Sequence, residues 1–230
     1  MCGRYADFIA QREIEDAFAI ATSAGDDRLL PFRYNIAPTT EALVVARAEG
    51  GDAGGQGANA LRVARWGLVP AWAKDPAVGV RAFNARSETV ADKPTFRSAF
   101  KTKRCLVPAS GYYEWQKLPG GGKQPHFIAV ADGAPLAFAG LYEHWGPPEQ
   151  RLSTFTILTT AARDDMGDIH DRQPVMLGAA ERDAWLAADS TPGDLFDVIA
   201  SPAPELELRK VGTAVGNVRN QGPELLEAAH

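Results

Sequence analysis

A cysteine stands at position 2, directly behind the initiating methionine. Removal of Met1 would leave one residue carrying both an α-amine and a thiol. A terminal amine titrates near ~7.7–8.0, far below a lysine, so a useful fraction is neutral at physiological pH. Such an amine condenses with an aldehyde to an imine. The thiol of the same residue then closes onto the imine carbon with the kinetic advantage of an intramolecular reaction, giving a five-membered thiazolidine. The competing reading is a buried, inert thiol, which is what most free cysteines are.

Other polar residues sit in apolar, turn-rich surroundings. The stretch NARSET offers Asn84, Arg86, Ser87 and Glu88. In GYYEW, Glu114 lies among three aromatics, a setting that would raise a carboxyl pKa by desolvation and suit it to proton transfer; the plainer reading is a surface pair with an arginine. In IHDRQPV, His170 precedes Asp171 and Arg172 in a loop closed by Pro174. A lone histidine serves structure as readily as catalysis, but an arginine two residues on suggests an anion nearby. Aromatics and arginines interleave in ARWGLVPAW, where Trp66 and Trp72 read either as core or lid residues or as platforms for unpaired bases.

These residues need a scaffold, and the pattern supplies one. REIEDAFAIA at 12–21 has helical apolar spacing; YNIAPTT signals an irregular turn; EALVVARAE and LRVARWGLVP read as a hairpin. Between them GGDAGGQGANA is a Gly-rich loop tip near 50–60. RCLVPASGYYEW reads as a strand entering a turn, HFIAVAD, LAFAGLYEHW, TFTILTT and LELRKV as further strands, and AAERDAWLAA as a helix. Strands joined by short connections predict a mainly antiparallel α+β domain over 1–230, with a C-terminal tail at about 221–230.

Composition narrows the functional classes. Apolar residues make up 45% of 230, enough for a substantial core, and no apolar run reaches transmembrane length. The N-terminus lacks the pattern of a secretory signal, and two cysteines are too few for a disulfide scaffold, so a cytoplasmic protein is expected. Four scattered histidines without CxxC or HxxxH spacing predict no metal. Net charge is −5, which counts against indiscriminate nucleic-acid binding. Yet Arg81, Arg86, Lys93, Arg97, Lys101, Lys103 and Arg104 face only Glu88 and Asp92 over residues 81–104, a local +5. That stretch is either a solvated face or a basic groove that tracks phosphates.

Eight stretches, in order along nearly the whole chain, resemble the SRAP family of SOS-response-associated peptidases, understood as abasic-site processing proteins. They are MCGRY, YNIAPT, RWGLVPAW, FNARSET, RCLVPASGYYEW, ILTTAA, IHDRQPVML and VGTAVGNVRN. The resemblance implies a single compact domain with a strongly curved sheet and peripheral helices. It implies a groove for single-stranded DNA, and a monomer needing no cofactor, metal or membrane. It further implies that Cys2, once Met1 is gone, forms a thiazolidine crosslink with the ring-opened abasic sugar. Asn84 would position Cys2, Glu114 would move protons, and His170 would assist ring opening. Arg4, Arg86 and Arg172 would contact phosphates, Pro38, Trp66 and Leu68 would contact or wedge bases, and Thr159 would touch DNA. The family usually reads HDRMP, so Gln173 is a departure that predicts altered packing or a changed DNA contact. A cysteine peptidase using Cys2, Glu114 and His170 is the alternative, and a binding module without chemistry the third.

Overall fold

The computed structural model describes residues 2–20, 30–48 and 57–229. In chain order they form β1 (Tyr5–Asp7), α1 (Gln11–Ala17), β2 (Arg33–Ile36), β3 (Glu41–Arg47), β4 (Asn59–Trp66), β5 (Asn84–Arg86), α2 (Arg97–Thr102), β6 (Arg104–Ala109), β7 (Gly111–Lys117), β8 (Lys123–Val130), β9 (Leu136–Trp145), β10 (Leu152–Ala161), β11 (Arg172–Pro174), α3 (Ala179–Leu186), α4 (Pro192–Ala200) and β12 (Leu206–Lys210).

Two sheets share these strands. β4, β3, β6, β9 and β10 close into a barrel-like ring, because β10 pairs with β9 along one edge and with β4 along the other. The short β5 and β11 extend along the rest of β10. The second sheet runs β12-β8-β7-β1-β2 and is antiparallel throughout. The domain is thus α+β with mostly antiparallel pairing, as expected. The exceptions are β10 with β4 and β10 with β5, which run parallel.

Side chains on a strand alternate between faces, so each ring strand feeds two cores. Ala42, Val44 and Ala46, with Cys105, Val107 and Ala109, pack toward the second sheet. Val45, Leu106, Ala139, Leu141 and Leu158 pack with Phe100, Trp185 and Leu195 of the helices. The site grows out of the first of these cores.

Several sequence expectations shift in detail. RCLVPASGYYEW is two strands in different sheets, not one. The chain crosses over at Ser110, whose N–H donates to Ala6 C=O at 2.8 Å and whose Oγ accepts from Phe8 N–H at 2.9 Å. Gly111 is required there, since a Cβ would meet Phe127 Cζ at 2.3 Å and Ile128 O at 2.7 Å. The Gly-rich tip falls largely outside the described residues, and β4 already begins at Asn59. Residues 221–229 pack onto the fold, because Leu225 is buried and Ala228 bridges Val211.

Candidate active site

Cys2 owes its place to β1. That strand sits in the middle of its sheet, pairing with β2 on one side and with β7 through Tyr5↔Tyr112 and Ala6↔Gly111 on the other. Tyr113 N–H donates to Arg4 C=O at 2.9 Å, which carries the register one step outward. Cys2 lies just beyond this point, close enough to feel the charge of Glu114. Cys2 has no exposed surface and packs with Tyr5, Trp66, Tyr112 and Phe138. Burial drives its thiol well above the ordinary range, and the negative charge of Glu114 raises it further.

Asn84 grips Cys2 from the opposite sheet. Its Nδ2 donates to Cys2 C=O at 2.7 Å. β5 is only three residues long, but it lies on β10 through Ile157↔Asn84. Ile157 N–H and Trp66 Nε1 both donate to Phe83 C=O, at 3.1 and 2.7 Å. The other amide atom, Asn84 Oδ1, is buried and has no hydrogen-bond partner among the described residues. An orphaned acceptor of this kind costs roughly 1–3 kcal/mol, a cost more often tolerated at working sites than elsewhere.

Glu114 is 3% exposed and shares a face of β7 with Tyr112 and Gln116. The segment leading to His170 is tied to those two neighbours. Tyr112 Oη donates to Met166 Sδ at 3.5 Å, and Gln116 Nε2 donates to Asp168 C=O at 3.3 Å. The loop carrying His170 therefore lies across the face that holds Glu114. His170 is partly exposed; its Nδ1 lies 3.0 Å from Arg172 N and 2.8 Å from Asp171 Oδ1. The two neighbours suit opposite forms of the ring. Arg172 N–H needs an Nδ1 lone pair, whereas the exposed Asp171 carboxylate needs Nδ1 to carry the hydrogen.

The proposed DNA contacts divide. Arg86 is exposed on β5. Arg4 is a strut: its guanidinium donates to Asn35 Oδ1 and Val215 C=O, both at 2.8 Å, and to Gly216 C=O at 3.2 Å. Arg172 donates twice to Glu88, at 2.6 and 2.9 Å, and also to Thr159 C=O at 2.6 Å. This fork holds the Glu88 carboxyl below its usual range. Thr159 has no exposed surface and its Oγ1 turns inward to Ala85 C=O at 3.5 Å, so it offers no side chain to a strand outside.

Trp66 and Leu68 are corrections. Both are core residues, at 0% and 1% exposure. Trp66 meets Tyr5 edge-on at 5.2 Å between centroids and stacks on Phe155 at 6.2 Å. Strand alternation turns it inward, where it packs in the same core as Cys2. The exposed aromatic of that motif is Trp72, at 66%. It stands on a segment pinned by Trp145 Nε1 donating to Ala73 C=O at 2.7 Å and by the close crossing of Gly67 and Gly79, where a Cβ on Gly67 would meet Gly79 O at 2.6 Å. Pro38 is half-buried in a turn held against Trp66, since Thr39 N–H donates to Trp66 C=O at 2.8 Å. Thr39 adopts φ 73°, a left-handed conformation that a β-branched residue rarely accepts.

Of the basic stretch, Arg81, Arg86, Lys93, Arg97 and Lys101 are exposed. Arg104 is buried, with its guanidinium on the carbonyls of Trp185, Phe100, Lys101 and Ala187, and Lys103 pairs with Glu143. These two cations are spent on the fold and leave the surface less positive than the sequence suggests.

Sequence reasoning missed Asn35. Its Nδ2 lies 3.1 Å from each of Val215, Asn217 and Asn220 C=O, which clamps the VGNVRN segment beneath β1 and β2. The signal was the pairing of two motifs far apart in sequence, which no local periodicity reports.

Residues 1–218 match the family model described as SOS response associated peptidase (SRAP). The chain is 38% identical over 231 residues to the abasic site processing protein YoqW of Bacillus subtilis, covering 99% of this chain and all of that one. It is 31% identical over 236 residues to YedK of Escherichia coli, covering 99% of each, and YedK is also named an abasic site processing protein. A crystal structure of a Bacteroides thetaiotaomicron protein superposes with a TM-score of 0.83 over the whole of both chains at 21% identity. A phage-related protein of Bordetella bronchiseptica gives a TM-score of 0.69 at 29% identity, covering 91% of this chain and 94% of the other.

Proposed function

Because the chain belongs to the SOS response associated peptidase (SRAP) family, we propose that it captures abasic sites in single-stranded DNA through a thiazolidine formed by Cys2 after Met1 removal. The observation that supports this reading is the 2.7 Å bond from Asn84 Nδ2 to Cys2 C=O, at a fully buried cysteine that feels the charge of Glu114. The α-amine adds to the aldehyde carbon of the ring-opened sugar and loses water to give the imine. Asn84 Oδ1, buried and without a partner among the described residues, is available to accept a hydrogen bond from that amine. The thiol then adds across the C=N bond: sulfur bonds to carbon, and the thiol proton passes through Glu114 to nitrogen. This order suits a thiol held protonated by burial, since the amine and not a thiolate makes the first attack. His170 serves as the proton donor during ring opening. Arg86 would meet a phosphate, Trp72 would stack on an unpaired base, and Pro38 would bear on the turn beside them. A monomer working in the cytoplasm fits this chemistry.

A cysteine peptidase acting in trans has less in its favour. A fully buried thiol with a raised pKa is a poor thiolate nucleophile.

The test is incubation with single-stranded DNA bearing one abasic site, followed by a denaturing gel and intact-mass measurement of the N-terminus. A denaturation-resistant band that persists and is absent for Cys2→Ala supports the proposal. A correctly processed protein that gives no such band refutes it.

A further inference from the structure

We propose that Gln173 is a positioning residue that sets the location of His170; its functional part rests on the reading of His170 as a proton-handling group. The hairpin of β10 and β11 runs from Thr159↔Pro174 through Thr160↔Gln173 to Ala161↔Arg172, and Ala162 N–H adds one more rung to Asp171 C=O at 3.0 Å. The chain then leaves the ladder for the 3-10 turn Asp164–Asp168. At this exit the Arg163 N–H donates not to main chain but to Gln173 Oε1, at 3.0 Å. Arg163 C=O in turn accepts from Met166 N–H at 3.2 Å. Met166 C=O accepts from Ile169 N–H at 3.1 Å and from His170 N–H at 2.9 Å. A relay of main-chain hydrogen bonds thus runs from one side-chain oxygen to the His170 backbone.

Gln173 is 3% exposed, so its amide oxygen has no bulk water to turn to. Its side chain and that of Arg172 leave β11 on opposite faces. Arg172 grips Glu88 and Thr159, whereas Gln173 holds the start of the loop beside a cavity of about 550 Å³ that Met166, Leu206 and Leu208 also line. Tyr112 and Gln116 hold the middle of the loop at Met166 and Asp168, and the Gln173 oxygen holds its start at Arg163. A methionine would fill the same volume but accept no comparable bond.

The test compares wild type, Gln173→Met and Gln173→Glu, the last of which keeps an acceptor. Amide hydrogen exchange is read at Arg163, Met166 and His170, and crosslinking to abasic single-stranded DNA is timed across pH. Gln173→Met is expected to exchange faster at these amides and to crosslink about tenfold more slowly with an altered pH profile, the scale of one hydrogen bond. Its non-covalent affinity for undamaged single-stranded DNA should be unchanged, and Gln173→Glu should restore most of the rate. The proposal is overturned if Gln173→Met matches wild type in exchange or in rate and pH profile, or if Gln173→Glu is as slow as Gln173→Met. If wild type itself forms no crosslink, the functional reading fails separately, and exchange, which needs no DNA, still decides whether Gln173 holds the loop.

Discussion

Asn84→Ala separates the structural from the chemical role of the asparagine, because its two amide atoms have opposite energetic signs. With Met1 in place, Nδ2 contributes one buried hydrogen bond to Cys2 C=O, about 1 kcal/mol, while the unsatisfied Oδ1 costs roughly 1–3 kcal/mol. Truncation removes both, so the Met1-retaining chain should be unchanged or more stable by up to about 2 kcal/mol. Once Met1 is gone, the Cys2 amine can donate to Oδ1. Truncation then removes two favourable bonds, one of them charge-assisted, and should cost about 2 kcal/mol more than before. For a chain of this length that is a difference of about 4–8 °C in the loss of Tm between the two forms. The assay is thermal unfolding of wild type and Asn84→Ala, each with Met1 retained and removed and sorted by intact mass. An equal loss in both forms would refute the assignment of Oδ1 to the amine. A large loss with Met1 retained would refute the balance of terms.

Other expectations follow from single residues. Burial raises the Asp7 carboxyl from 3.8 to about 6. Between those values the folded chain binds a proton that the unfolded chain has lost, so stability falls as pH rises through that window. Asp7→Asn should therefore stabilise the protein by up to about 3 kcal/mol at pH 7 and by nothing near pH 4, as measured by urea unfolding at both. Equal effects at the two pH values would contradict the assignment. Thr39→Gly should relieve the strain at φ 73° and raise stability by about 0.5–1 kcal/mol, and a fall in Tm would count against it. Trp72→Ala should leave Tm within about a degree but weaken single-stranded DNA binding by about 1–3 kcal/mol in a fluorescence titration; unchanged affinity would remove Trp72 from the interface.

What the sequence revealed depended on how local the signal was. β3, β9 and β10 are long runs whose apolar content declares them, and all three form where the pattern set them. β5 and β11 are three residues each, too short for any period, and they exist because β10 offers them an edge. α4 went unread although its start is explicit: Thr191 caps Asp194 N–H, Asp194 caps Thr191 N–H, and Pro192 follows the cap. At the site, residue types were legible but environment was not. Leu68 and Trp66 sit in a motif with exposed Trp72, and only strand alternation and the Gly67–Gly79 crossing decide which side chain faces out. Arg4 and Arg172 looked like free cations because the groups that occupy them, Val215 C=O and Glu88, lie far along the chain.

The full burial of Cys2 makes its reactivity a gauge of local opening. A bulky thiol reagent meets Cys2 only in the fraction of molecules whose N-terminal segment ahead of β1 has come away, so the labelling rate is the free-thiol rate multiplied by that fraction. Labelling thus converts directly into an opening free energy for the segment that holds the nucleophile. Cys105, equally buried but inside the ring, supplies the internal reference. The ratio of the two rates measures how much more readily the N-terminal segment breathes than the ring, in a protein with no added probe.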